Sequence, residues 1–186
     1  MGSKAKEMTY VALIRGINVG GSKIVHMEPL RKELGAMGLH DVKTYVQSGN
    51  VVFKTPQQAC DKLSRQIEEM VSKRFGVSAS VIVKTAEDVC AAVKNNPFLK
   101  EQGADVTKFH VTFLSAVPQK DALKKLKDLS FPPERFCCVA SEIYLECPNG
   151  VGQSRLPIQL FEKLLGVRAT SRNWRTVNKL AEMCSE

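Results

Sequence analysis

The sequence has few of the residues on which most catalytic and metal sites depend. It holds three histidines, one tryptophan and 6% aromatic residues among 186 positions. His26, His40 and His110 are scattered, and none stands in a motif with a nucleophile or a metal-ligand partner. The six cysteines show no CxxC spacing. We therefore predict no metal site and no cofactor, and we assign no catalytic residue, so enzymatic activity stays an open question.

Long apolar runs are also missing. No stretch approaches the roughly 20 residues that cross a bilayer, and the first ten residues lack the apolar centre of a signal peptide. These absences favour a cytoplasmic protein without membrane contact. In that compartment the cysteines are expected to stay reduced, and most are expected to pack in the core.

Positive charge is in excess and lies toward the two ends of the chain. The 27 Lys and Arg residues against 19 Asp and Glu give a net charge of +8. Such a balance is compatible with nucleic acid, nucleotides or phosphorylated metabolites as partners. A solvated basic surface explains the same composition, so charge alone does not select a function.

Hydrophobic periodicity predicts a βαββαβ order for the first half, residues 9–84, after a flexible polar end at 1–8. An apolar strand over 9–15 leads into a glycine-rich loop, and a helix follows between Pro29 and Gly38. Two β-rich runs around Ser48 and Gly49 form a predicted hairpin, and a helix from Thr55 and a further strand complete the half.

The same order repeats in residues 105–186, after a connecting helix and loop at 85–104. An additional helix beginning near Asn173 ends the chain and is predicted to bury Trp174. The predicted class is α+β, with two duplicated ferredoxin-like (βαββαβ) subdomains and an extra C-terminal helix.

Four strings in this order resemble one known family: RGINVGG, QSGNVVF, NPF and TSRNWRTVNKL, at 15–21, 47–53, 96–98 and 170–180. They are similar to the bacterial family of uncharacterised proteins catalogued as domain of unknown function sixteen-ninety-seven. The resemblance runs from about Thr9 to the last helix. It implies two ferredoxin-like subdomains and no established activity.

One set of candidate ligand-binding residues surrounds the end of the first strand. Arg15 ends an apolar strand beside the glycine loop, where a charged group needs a partner or a ligand. The loop is not a P-loop, because Ser22 separates Gly21 from Lys23, but its glycines would let backbone amides approach an anion. The hairpin turn adds polar groups, which turn chemistry alone also explains. This first set is Arg15, Asn18, Gly20, Gly21, Lys23, Gln47, Ser48 and Asn50.

A second set of candidates lies near the C-terminus. Ser154 follows two glycines and is predicted to cap a helix, whose N-terminus would attract an anion. Arg172, Asn173 and Thr176 are predicted at the start of the last helix, where two arginines in the first turn, Arg172 and Arg175, would form a phosphate or carboxylate clamp. A capped helix and a solvated basic face are the structural alternatives.

The function hypothesis is binding of a small phosphate-bearing or other anionic ligand, nucleotide-like in character, at a site shared by loops of both halves. Three alternatives stay open: a nucleic-acid-binding protein, an enzyme acting on a phosphorylated metabolite, and a structural or partner-binding module. The strands lack the aromatic spacing of an RNA-recognition motif, which disfavours the nucleic-acid version. A monomer or weak homodimer is expected.

Overall fold

A computed structural model describes residues 6–18, 24–154 and 156–186 of the chain. The chain divides into two units. The first is Met1–Val89 with Leu180–Glu186, and the second is Cys90–Lys179. A linking helix, α3 (Ala86–Lys94), and the last helix, α6 (Trp174–Cys184), each contain a boundary between the units.

The first unit is a four-stranded antiparallel sheet with two helices. Its strand order is β2-β3-β1-β4. The elements in chain order are β1 (Glu7–Arg15), α1 (Met27–Ala36), β2 (His40–Tyr45), β3 (Asn50–Pro56), α2 (Cys60–Phe75) and β4 (Ser80–Thr85).

The apolar run of the central strand β1 forms the middle of the hydrophobic core of the first unit. Tyr10, Ala12 and Ile14 alternate along one face and pack with Leu30 and Ile67 of the two helices. Each large apolar side chain buried in this way stabilises the fold by about 1.5–3 kcal/mol. The core therefore fixes the position of Arg15, which ends the strand.

The second unit repeats this architecture. Its antiparallel sheet has the order β6-β7-β5-β8, which places the strands in the same succession as in the first sheet. Its elements are β5 (Phe109–Leu114), α4 (Lys120–Lys127), β6 (Arg135–Val139), β7 (Glu142–Glu146), α5 (Ile158–Leu165) and β8 (Ala169–Asn173).

The predicted fold class is confirmed: the chain is α+β, with two four-stranded antiparallel sheets in a duplicated arrangement and a C-terminal helix. Trp174 is the first residue of α6 and is only 8% exposed. Two helices begin later than the sequence predicts. Thr55 still belongs to β3, so α2 starts at Cys60, and α5 starts at Ile158 after Pro157.

The cysteines are free thiols in the structure. Cys137 pairs with Tyr144 and Cys138 with Ile143 in the register of β6 and β7, so the two neighbours point to opposite faces of the sheet. In the described part of the chain, no helix has the length and apolar character that crossing a membrane would demand.

Candidate functional site

The side chain of Asn18 connects Val25 to the hairpin turn of the first unit. Its Nδ2 donates to the carbonyl oxygens of Val25 at 2.9 Å and Gln47 at 2.8 Å, and its Oδ1 accepts from the Val25 N–H at 2.7 Å. The whole carboxamide is thus used in three hydrogen bonds. We call the residues joined here, 15–18, Val25 and 45–50, the loop–turn cluster.

Gly49 packs the turn directly against β1. The backbone N–H of Ile14 donates to the Gly49 carbonyl at 2.7 Å. A Cβ at position 49 would lie 2.5 Å from the Ile14 carbonyl oxygen, and the backbone φ is +73°. Only glycine fits both conditions.

Asn50 braces the same turn from inside. It is fully buried, and its Nδ2 donates to the Tyr45 carbonyl at 3.2 Å and the Ser48 hydroxyl at 2.8 Å. The turn is therefore held by its own side chains as well as by Asn18. This accounts for Asn18 and Asn50 as supports of the site rather than as groups that face a ligand.

The groups that face outward in the loop–turn cluster are Gln47 and Ser48, both of which are exposed. They follow Val46, whose φ of +49° is rare for a β-branched residue and whose side chain is 54% exposed. Arg15 is partly buried at the end of β1, opposite Ser80 in the register. Strained backbone of this kind is concentrated at ligand-binding and switch regions.

Three predicted site residues, Gly20, Gly21 and Lys23, lie outside the described residues. Of the first set, the structure brings Asn18, Gln47, Ser48 and Asn50 into one hydrogen-bonded cluster beside Arg15.

Arg172 lies in strand β8, not in the last helix as the sequence suggests. Its Nη1 donates to the Thr170 hydroxyl and to the Ser171 carbonyl, each at 2.8 Å. Burial lowers the pKa of Arg172 to about 10, so the side chain is still charged at neutral pH. Because Arg172 and Asn173 are consecutive in a strand, they point to opposite faces of the sheet.

Asn173 ends β8 and caps the last helix. Its Oδ1 accepts from the backbone N–H of Thr176 at 2.8 Å, which is the hydrogen bond of a helix N-cap. Thr176 is 8% exposed. These contacts give both residues a structural role at the start of α6.

Ser154 does not cap α5, which contradicts the sequence prediction, because α5 begins four residues later at Ile158. The Ser154 hydroxyl instead accepts from the Leu156 N–H at 3.0 Å, and the Cys147 thiol donates to it at 3.9 Å. Pro157 accounts for the later start, because a proline disfavours helical backbone at the residue before it, which is Leu156.

A buried polar patch on the helix-facing side of the second sheet was missed by sequence reasoning. Thr112 of β5 lies opposite Ser171 of β8, and His110 lies two residues before Thr112 on the same face. Thr112 Oγ1, Ser171 Oγ and His110 Nδ1 are buried and have no hydrogen-bond partner among the described residues. Burial also lowers the pKa of His110. Polar residues alternating with apolar ones in FHVTF were the signal that could have revealed it.

Among the described residues, no His, Cys, Asp and Glu side chains gather in threes to hold a metal ion. The second unit presents its own polar groups, and their union with the first set in one site stays a prediction.

The family model described as protein of unknown function (DUF1697) matches residues 8–144. The chain belongs to this family. The match includes the first three motifs and ends before TSRNWRTVNKL at 170–180.

Among solved structures, the chain is similar to the conserved bacterial protein SP0830 from Streptococcus pneumoniae. The TM-score is 0.75 at 24% sequence identity, over 97% of this chain and 100% of that one. This likeness establishes a shared fold. No curated protein matches the chain.

Proposed function

We propose that the loop–turn cluster binds a small anionic ligand, phosphate-bearing and nucleotide-like, with Arg15 as its charged anchor. The observation that supports this most directly is the Asn18 clamp, whose three hydrogen bonds join Val25 to the hairpin turn at Gln47. A turn held in this way has already lost conformational freedom that binding would otherwise cost.

The chemistry of the outward groups fits an anion. Ser48 and Gln47 carry hydroxyl and amide donors, and Arg15 offers a planar guanidinium that can contact two oxygens of a phosphate or carboxylate. Each charge-assisted contact of this kind contributes about 1.5–3 kcal/mol. The strained Val46 is consistent with a turn shaped for recognition and not for stability alone.

The deciding experiment replaces Arg15 with Gln and measures binding of inorganic phosphate, pyrophosphate and a nucleoside monophosphate by calorimetry, with thermal unfolding beside it. We expect at least one probe to bind the unchanged protein and to bind Arg15→Gln about tenfold or more weakly, with little loss of stability. Arg65→Gln is the matched control, because Arg65 is exposed on α2 of the same unit.

Two results would contradict the proposal. Arg15→Gln could unfold at a much lower temperature while anion binding is unchanged, which would make Arg15 a structural residue. The other contradicting result is that none of the three probes binds the unchanged protein, and it would favour a structural or partner-binding module.

Arg172→Gln tests the larger proposal that the second unit contributes to the same ligand. Its hydrogen bonds to Thr170 and Ser171 mean that this variant is expected to lose stability. Binding is therefore measured well below its unfolding temperature. A loss of affinity for the same probe as Arg15→Gln supports a shared site, and unchanged affinity limits the site to the first unit.

The nucleic-acid alternative is separated by salt. A single-stranded oligonucleotide that contacts several phosphates loses affinity steeply as salt rises, whereas a mononucleotide held by one arginine loses little. Tighter binding of the oligonucleotide with a steep salt dependence would replace the small-ligand proposal.

A further inference from the structure

A groove lies between helix α4 and the outer strand β6 of the second unit. Its volume is about 620 Å³. Apolar side chains supply most of its lining, and lysines of α4 stand along one side. Its lining includes Lys120, Leu123, Lys124, Lys127, Phe136, Cys137 and Cys138.

The groove lies along β6. Consecutive residues of this strand, including Cys137 and Cys138, line it, although their side chains point to opposite faces. The groove therefore borders the backbone of β6 as well as its helix-facing side chains. Strand β6 is last in its sheet, and no strand among the described residues pairs with its outer side.

The equivalent edge of the first sheet is blocked in ways that β6 is not. Strand β2 has an irregular register between His40 and Lys43 and carries two charged side chains, Asp41 and Lys43, whereas β6 carries one, Arg135. Bulges and charges of this kind keep edge strands from pairing with other chains. Helix α1 is also hydrogen-bonded to β2, through Arg31 and Thr44 at 2.6 Å.

Strand β6, in contrast, is regular and mostly apolar. Its five residues pair with β7 in unbroken register from Arg135 to Val139. The charged group at its start is engaged elsewhere, since Arg135 contacts Glu101 at 2.7 Å and Glu146 at 2.5 Å. An edge of this type is suited to accept a further strand.

Charge defines what the added strand should carry. Lys120, Lys124 and Lys127 are spaced four and three residues apart, so they lie on one side of α4 and face the groove. Asp121 contacts Lys124 at 3.4 Å, but both side chains are highly exposed, which makes this pair weak. Glu134 also lines the groove, but it is buried and already has interaction partners. The rim is therefore positive.

We propose that this groove binds an extended peptide that adds to β6 as a fifth strand and whose groove-facing side chains, at every second position, are in turn acidic and apolar. Main-chain hydrogen bonds to β6 would supply affinity, as in other strand-addition complexes. The apolar side chains on that face would enter the groove beside Leu123 and Phe136, and the carboxylates on the same face would meet the lysines of α4, because the intervening side chains point to the other face of the sheet.

The first test leaves the protein unchanged and varies the peptide. A fluorescent peptide that repeats Glu-Ser-Val-Ser, in which Glu and Val share one face, is expected to bind saturably and to shift the amide signals of residues 135–139 in NMR spectra. N-methylation of alternate backbone nitrogens on the pairing side should weaken binding by about tenfold, because it removes main-chain donors. Two results would overturn the proposal. One is an affinity equal to that of the unmethylated peptide whichever alternate set of backbone nitrogens is methylated. The other is that the Glu and Val peptide does not bind.

The second test addresses the lysines and the rival ligand. Lys124→Gln and Lys127→Gln should each weaken peptide binding roughly two- to fivefold, the range of single exposed ion pairs. Lys125→Gln on the same helix is the control, because Lys125 does not line the groove. Laurate is tested beside the peptide. If laurate binds and the peptide does not, the groove is a site for acyl carboxylates and the peptide proposal is wrong. If Lys125→Gln weakens peptide binding as much as Lys124→Gln and Lys127→Gln do, the lysines along the groove do not recognise the peptide.

Discussion

In the first sheet, the buried Thr55 accepts a hydrogen bond from Gln58 at 3.2 Å, whereas the equally buried Thr112 of the second sheet has no partner among the described residues. The sheets share one strand order, so topology does not decide this difference. An unpartnered buried hydroxyl costs about 1–3 kcal/mol. Among the described residues, Thr112 therefore carries a cost that Thr55 avoids through its bond to Gln58.

The largest expected effect concerns the turn of the first unit. Gly49→Ala would put a Cβ 2.5 Å from the Ile14 carbonyl oxygen at a φ of +73°, and we expect it to lower the free energy of unfolding by about 3 kcal/mol. Gly38→Ala is the control, because Gly38 has a similar φ of +82° but open space around its Cα. Urea unfolding should give a loss of only about 1 kcal/mol there. Equal losses would mean that the close packing of the turn is unimportant.

Next in size is Asn18→Asp, which keeps the acceptor for Val25 but replaces the donor that two carbonyl oxygens need. We expect a loss of about 1–3 kcal/mol in the free energy of unfolding and weaker anion binding. The comparison residue in the second unit is Asn178, whose exposed side chain makes one hydrogen bond to the Trp174 carbonyl. If Asn178→Asp lowers the free energy of unfolding as much as Asn18→Asp does, the three hydrogen bonds of Asn18 do not stabilise the fold more than one exposed hydrogen bond.

A smaller effect of opposite sign is expected from the two buried threonines. Thr112→Val removes an unpartnered hydroxyl and should raise the free energy of unfolding by up to about 1 kcal/mol, while Thr55→Val should lower it by about 1 kcal/mol. Chemical denaturation of both variants measures the contrast. Destabilisation by Thr112→Val would show that an ordered water or another group satisfies this hydroxyl.

The smallest effect is a pH dependence from His110. Burial holds the pKa of His110 below its ordinary value of 6.5, so the folded protein resists protonation that the unfolded chain accepts. The contribution to stability is therefore complete above pH 6.5 and is lost as the pH falls from there toward the folded pKa. Urea unfolding at pH 8 and pH 5.5 should show a smaller difference in His110→Gln. His26→Gln, which removes an exposed histidine, should behave like the unchanged protein.

Much of the fold follows from local sequence patterns, as the strands and Trp174 illustrate. The continuous apolar run before Arg15 predicts a strand covered on both faces, because this signal depends only on residues that are neighbours in the sequence. The start of α5 did not follow, since Ser154 looks like a helix cap until its hydroxyl is seen to accept from Leu156. Such competition among nearby donors is decided by the packed chain.

The sequence by itself determined the duplicated element order, the burial of Trp174 and membership of the family, because these depend on periodicity and local motifs. Tertiary structure alone decided what the polar residues do. Asn18 meets the Gln47 carbonyl across 29 positions of the chain, and Arg172 falls in a strand where its Nη1 contacts Thr170. Hydrogen-bond partners that are distant in sequence become defined only when the strands are registered, and the groove along β6 likewise exists only once α4 has packed beside it.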